Sequence, residues 1–290
     1  MDWIFFAIAC AVFVSAASLV EKRGLQKVHA TDFSVSVSLV NIIFSLPFLF
    51  FVDWQALTLE VFGLIFCTAF FAATAFFLVA KAIRHIDISD ASPLLSLSPA
   101  STSLFAFVIL GESLEWVQVG GIGFMVLGSF ILALHPHTPV RESLRVFGTS
   151  RYIQFLFVSL LFYSMGAIFD RAILSDFAVP VATYMVFFHI FMALLYIPLV
   201  FAFGGGVRGI GAAFGLASLD IVLTSLFTVL YRFFQMEAIS LAYVGLVSAI
   251  KRSSSFFTTL IGGELFHEKY LARKLSASAV IIFGILCVVL

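Results

Sequence analysis

The chain has 290 residues, 62% hydrophobic and only 11% charged, with a formal net charge of zero. Soluble domains are nearer a quarter charged, so the composition excludes a soluble domain with one anchor, and the charge balance gives no pull toward nucleic acid. A mean hydropathy of +1.15 instead describes a multi-pass, all-α integral membrane protein whose partner is the lipid bilayer.

A spanning helix needs about 20 apolar residues, and ten stretches fit in chain order. The first, 3–20, follows Met1-Asp2-Trp3, which lacks the basic start of a signal peptide, so it reads as a retained helix. Stretches 32–52 and 59–80 follow. The fourth, 88–110, contains Pro93 and Pro99, each of which removes a backbone donor and frees carbonyls. The fifth is 116–134. A connection then carries Pro136, Pro139, Arg141 and Arg145, and reads as a hinge over 136–150 between halves 1–135 and 151–290. The second half supplies 151–169, 180–203, 213–234, 241–266 and 273–290.

An even number of spans puts both termini on one side. The odd-numbered connections hold Lys22, Arg23, Lys27, Lys81, Arg84, Arg141, Arg145, Arg151, Arg208, Lys269, Arg273 and Lys274, whereas the opposite side holds Arg171 and Arg232. Positive charge stays in the cytoplasm, so the odd connections are expected there, with both termini non-cytoplasmic, in a bacterial cytoplasmic membrane.

The two halves resemble each other. A shift of 156 residues lays the third to fifth stretches over the eighth to tenth without a gap. Ala82-Ile83 then falls on Ala238-Ile239, Thr68 on Thr224, Ser92 on Ser248, Thr102 on Thr258, Leu104 on Leu260, Glu112 on Glu268 and Gly128 on Gly284. A shift of 149 lays Glu21-Lys22 over Asp170-Arg171. Five spans per half force the second half to enter the membrane upside down, and inverted repeats of this kind characterise many secondary transporters, whose sites lie near mid-membrane between the repeats.

Pro99, Gly111-Glu112, Gly121 and Gly128, echoed by Glu268, Ala277 and Gly284, resemble the drug/metabolite transporter superfamily, specifically its EamA-type ten-helix members. The resemblance implies two five-helix bundles around a central cavity that works by alternating access. Ser255 stands where the first copy has Pro99, and His267 where it has Gly111. A narrower resemblance rests on Lys251-Arg252 in the ninth stretch. A Lys-Arg pair also occurs in the ninth helix of sugar-phosphate translocators of the same superfamily, where it grips the phosphate, and this implies an anionic substrate.

The residues themselves point the same way. A Lys or Arg near the centre of a spanning helix costs about 2.5–3.5 kcal/mol, and charge at that depth marks a functional site by default. Ser248, Lys251, Arg252, Ser255, Thr258 and Thr259 form one helical stripe, opposite Leu246, Ile250, Phe257 and Ile261. The fourth stretch has a stripe of Ser89, Ser92, Ser96, Pro99 and Ser103. Thr228, Tyr231 and Gln235 share a face of the eighth, and Tyr163 and Asp170 of the sixth. These give the expected substrate-binding set: Lys251, Arg252, Ser255, Thr259, Ser248, Tyr231, Gln235, Thr228, Tyr163, Asp170, Ser96 and Ser92. Single hydroxyls in membrane helices more often bond their own backbone. Asn41 and His189 stand isolated, and His189 reads as a packing residue. Arg232 with Glu237, and Glu21 with Lys22, read as interfacial pairs near helix ends. Asp170 either counters Lys251 or caps its helix.

The favoured function is alternating-access transport of a carboxylate- or phosphate-bearing metabolite. Arg can fork onto two oxygens while Lys acts as a point charge. The rival is a proton-coupled exporter of amino acids or of cationic or hydrophobic drugs, against which Ile4 to Val20 contains no carboxylate. An enzyme is not expected, since no metal-spaced His cluster, nucleophile elbow or phosphate loop occurs. No cofactor is expected, and Cys10, Cys67 and Cys287 give no disulfide or zinc pattern. A non-transporting scaffold would need a large soluble segment. Two fused halves make a monomer sufficient, or a homodimer.

Overall fold

The protein, represented by a computed structural model, is described over residues 2–95, 97–110, 115–133 and 148–289. Every regular element among them is helical: α1 (Asp2–Leu25), α2 (Ala30–Ser45, continued by a 3-10 turn Leu46–Phe51), α3 (Leu59–Ile83), α4 (Ile88–Leu95), α5 (Ser98–Leu110), α6 (Trp116–Ala133), α7 (Arg151–Arg171, continued by a π turn Ala172–Asp176), α8 (Val181–Phe203), α9 (Gly206–Leu241), α10 (Val244–Leu265) and α11 (Leu271–Val289). Hydrocarbon offers backbone groups no water, and a helix satisfies them within one segment. Six segments are long and apolar enough to cross a membrane: Trp3–Leu25, Ala30–Phe51, Leu59–Ile83, Arg151–Asp176, Val181–Phe203 and Gly206–Leu241. Helices α4, α5, α6, α10 and α11 stand outside that set; α10 carries Lys251, Arg252 and a hydroxyl-rich face.

Local chemistry sets several boundaries. Thr58 caps α3 by accepting from the Val61 N–H at 3.3 Å, with Glu60 in the positive first turn. The expected single span 88–110 is two helices, with Leu97 in the turn before Ser98. Pro99 at the second position of α5 needs no helical donor there, which suits a fresh start. Helix α9 is longer than the expected 213–234 and bends at Ala217 (φ −139°, ψ 28°). Helix α1 runs past residue 20 to Leu25, which carries Glu21 and Lys22 into the protein, both about 7% exposed. They are not an interfacial pair. Lys22 Nζ donates to the carbonyl oxygens of Ile83 and, at 2.7 Å, Ile86 at the C-terminus of α3, where carbonyls lack helical partners and a cation suits the dipole. The hinge, up to residue 147, and Gly111-Glu112 lie outside the described residues.

Helix α1 packs on α9 and α10, α3 on α7 and α8, and α2 on α8 and α9. Helices α4 and α5 lie against α7 and α10, and α6 against α11. The last contact is close: a Cβ at Gly128 would lie 2.8 Å from the Ala277 carbonyl oxygen, and one at Gly284 2.5 Å from that of Gly121. Aliphatic and aromatic side chains from α2, α3, α7, α8 and α9, among them Ile65, Tyr184, Met185 and Tyr196, form the main core. Phe50, Phe51, Leu59, Phe201 and Leu219 point outward, as lipid-facing residues do.

Candidate functional site

A cavity opens where α2, α3, α5, α7, α8, α9 and α10 converge. Helical spacing explains which side chains reach it. Ser248, Lys251 and Arg252 stand at i, i+3 and i+4 on α10, and Thr228, Tyr231, Arg232 and Gln235 at i, i+3, i+4 and i+7 on α9. Tyr163 and Asp170 enter from α7, Ser98 and Thr102 from α5, Ser34, Ser38 and Asn41 from α2, and His189 and Tyr196 from α8.

Its charges are arranged in two groups. Asp170, 1% exposed, is held by Arg232, whose Nη2 lies 3.0 and 3.1 Å from the two carboxylate oxygens. The Tyr184 hydroxyl donates to Asp170 Oδ1 at 2.6 Å and accepts from Arg232. The guanidinium also lies 4.3 Å from the Phe188 ring centroid. Asp170 therefore pairs with Arg232, not with Lys251, and Arg232 is a buried partner of Asp170 rather than an interfacial partner of Glu237. The second group is Lys251 and Arg252. Lys251 Nζ donates to Gln235 Oε1 at 2.6 Å and lies 4.9 Å from the Tyr231 ring centroid. Arg252 Nε donates to Ser98 Oγ at 2.6 Å, with its guanidinium 5.9 Å from the Tyr163 ring centroid. Among the described residues neither cation has a carboxylate partner. The cavity thus carries two formal positive charges beyond its own ion pair, next to acceptors that are all neutral.

The structure brings Lys251, Arg252, Ser248, Tyr231, Gln235, Thr228, Tyr163 and Asp170 to this one cavity. Ser255 instead lines a second, smaller cavity with Ser18, Glu21 and Thr258, and Arg252 borders both. Thr259 is fully buried and accepts from Ser278 Oγ at 3.4 Å, in the α10–α11 contact. Ser96 and the side chain of Ser92 lie outside the described residues. Sequence reasoning missed Arg232 and Tyr184, and left Asn41 and His189 aside. Among the described residues, neither ring nitrogen of buried His189 has a hydrogen-bond partner, nor has Asn41 Oδ1, so the packing reading of His189 leaves its nitrogens unsatisfied there. The signal for Arg232 was its place inside the Thr228–Tyr231–Gln235 face.

No group of three or more His, Cys, Asp or Glu side chains that could hold a metal ion occurs among the described residues. The cavity offers a ligand the Lys251 and Arg252 cations, several hydroxyls and aromatic walls.

Residues 1–134 match the EamA-like transporter family. No curated protein matches the chain in sequence. A solved chain described as "Crystal structure of protein" superposes with a TM-score of 0.64 at 14% identity, covering 100% of this chain and 98% of that one; at that identity the likeness is one of fold.

Proposed function

We propose that this chain, whose residues 1–134 match the EamA-like transporter family, is a secondary transporter that moves a small carboxylate- or phosphate-bearing metabolite by alternating access. The observation that carries the anionic preference is the division of charge in the cavity. Arg232 already answers Asp170, so Lys251 and Arg252 remain for a charge that arrives from outside. Gln235 and Ser98 hold the two cations in place and are neutral, so a bound anion displaces no internal ion pair. Tyr163, Tyr231, Thr228 and Ser248 would read the polar remainder of the substrate.

Ten spans in two inverted five-helix repeats complete the reading. The packing supports it, because the main contacts of the first three helices recur when the halves are exchanged: α1 on α9 corresponds to α7 on α3, and α2 on α9 to α8 on α3. Individual bonds support it too. Lys22 binds the carbonyls of Ile83 and Ile86, and Arg171 binds those of Ile239 and Ala242, at 3.0 and 3.2 Å. Ser15 meets Thr258 at 2.8 Å, and Ser164 meets Thr102 at 3.1 Å. Each partner is displaced by the 149- or 156-residue shift.

Thermal unfolding of the purified protein against phosphorylated, carboxylated, zwitterionic and cationic metabolites tests the reading. A ligand at a hundredfold over its dissociation constant stabilises by about 2.7 kcal/mol. Stabilisation by anions, lost in Lys251→Ala/Arg252→Ala, is expected. Stabilisation by cations alone, or by ligands indifferent to that variant, would move the substrate to drugs or amino acids.

A further inference from the structure

Glu21 is buried, and its Oε1 has no hydrogen-bond partner. It faces the second cavity with Ser18, Ser255 and Thr258, and Ser255 Oγ there is also buried without a partner. An ionised carboxylate taken out of water is costly unless a proton or cation accompanies it. The repeat shows what accompanies the equivalent acid. Glu21 advanced by 149 is Asp170, and Asp170 has Arg232. Arg232 moved back by 156 is Phe76. The chain therefore supplies two equivalent acids and one guanidinium.

Among the described residues no ion pair reaches Glu21, although Arg252 borders the same cavity. The base adjoining each acid turns away, Lys22 to the α3 carbonyls and Arg171 to those of α9. On the elements packed against α1, Arg252 donates to Ser98 and Lys251 to Gln235. Asp220 is held by Arg23 and Lys27, Asp87 by Lys274, and Lys81 lies over the Phe77 and Phe203 rings. Tyr231 lies beneath Lys251.

We propose that the second cavity binds a small monovalent cation, a proton or Na⁺, on Glu21 with the Ser18 and Ser255 hydroxyls, and that this cation travels with the anion. A donor set made only of oxygen suits a hard cation, and one carboxylate balances a single positive charge. Arg252, the wall common to both cavities, makes the occupancy of one felt by the other. The coupling role rests on the transporter reading above; cation binding does not.

Infrared difference spectroscopy in nanodiscs, without organic substrate, tests the site. One arm lowers the pH in choline chloride; the other replaces choline by Na⁺ at constant pH. A carboxyl signal that is missing from Glu21→Gln is expected, in the pH arm for a proton and in the sodium arm for Na⁺. Phe76→Arg, which gives the first half the guanidinium of the second, is expected to remove the response with Glu21 still present. Identical spectra for wild type and Glu21→Gln in both arms overturn the proposal. If Glu21→Gln does not fold, a carboxyl response unchanged in both Phe76→Arg and Ser255→Ala overturns it. Phosphate binding is followed separately by thermal unfolding of wild type and Lys251→Ala, a residue that lines only the central cavity, while the Glu21 signal is read without organic substrate, so the two readings fall separately.

Discussion

The contact between α6 and α11 and the wall of the central cavity treat the two halves of the chain differently. At the contact, Gly128 and Gly284 each let a helix approach a backbone carbonyl of the other, Ala277 on one side and Gly121 on the other. Around the cavities, positions equivalent in register part company: Asp170 in the central cavity has Arg232, while Glu21 in the smaller one has no ionic partner among the described residues, and Phe76 stands where the repeat has Arg232. Under the proposed repeat, helices that only hold together keep small residues in both copies, because backbone approach tolerates no side chain, whereas the positions proposed to handle a ligand differ in charge between the copies.

The largest effect expected from this contrast comes from Arg232→Ala. It leaves a buried carboxylate unpaired and should cost about 3–5 kcal/mol, read as a drop in the unfolding temperature, with Asp170→Asn in the same chain recovering most of it. The mirror change, Glu21→Gln, removes a charge that has no internal partner and should leave thermal stability unchanged or raised; a loss as large as that of Arg232→Ala would break the comparison. At the helix contact the halves should behave alike. Gly128→Val and Gly284→Val should each cost about 1–3 kcal/mol by overpacking, whereas Gly63→Ala, in open space on α3, should be neutral or gain up to about 1 kcal/mol. Ser15→Ala and Ser164→Ala should each cost about 1 kcal/mol, with Ser164 the larger because it also meets Ser101. The smallest effect lies outside the membrane. Burial, then the charges of Arg84 and Arg151, holds His85 below the ordinary imidazole range. Its neutral form is the one favoured by folding, so the contribution is complete above about pH 6.5 and declines as the pH falls below it. His85→Asn should flatten that part of the stability–pH curve.

The helical class was legible because hydropathy leaves a long chain of this composition few alternatives. Lys251 and Arg252 were legible as well, since charge inside an apolar run stands out by itself. Arg232 was not. It sits near the end of an apolar stretch, where a long cation is commonly solvated, and only the path of α7 across α9 brings Asp170 to it. Glu21 failed for a related reason: the apolar run stops at residue 20, yet the helix continues because Lys22 finds the open carbonyls of α3. The break between α4 and α5 was written in Pro93 and Pro99, but two prolines do not say whether a helix bends or restarts.

The described ion pairs that join residues 1–133 to residues 148–289 gather at one end of the bundle. Arg23 and Lys27 at the close of α1 grip Asp220, and Lys274 at the start of α11 grips Asp87 just before α4. The Arg232–Asp170 pair, by contrast, lies wholly inside the second half. The Arg23, Lys27 and Lys274 pairs clasp residues 1–133 to residues 148–289 where α1 closes and α11 begins, while at the other end the Asp53 N–H donates to Thr183 Oγ1 at 2.8 Å. In the proposed alternating-access cycle, opening the end held by the ion pairs means undoing them, and two have the Arg23 and Lys27 side chains 45% exposed and so within reach of dissolved salt. Ionic strength should therefore act as a lever on how readily that end loosens.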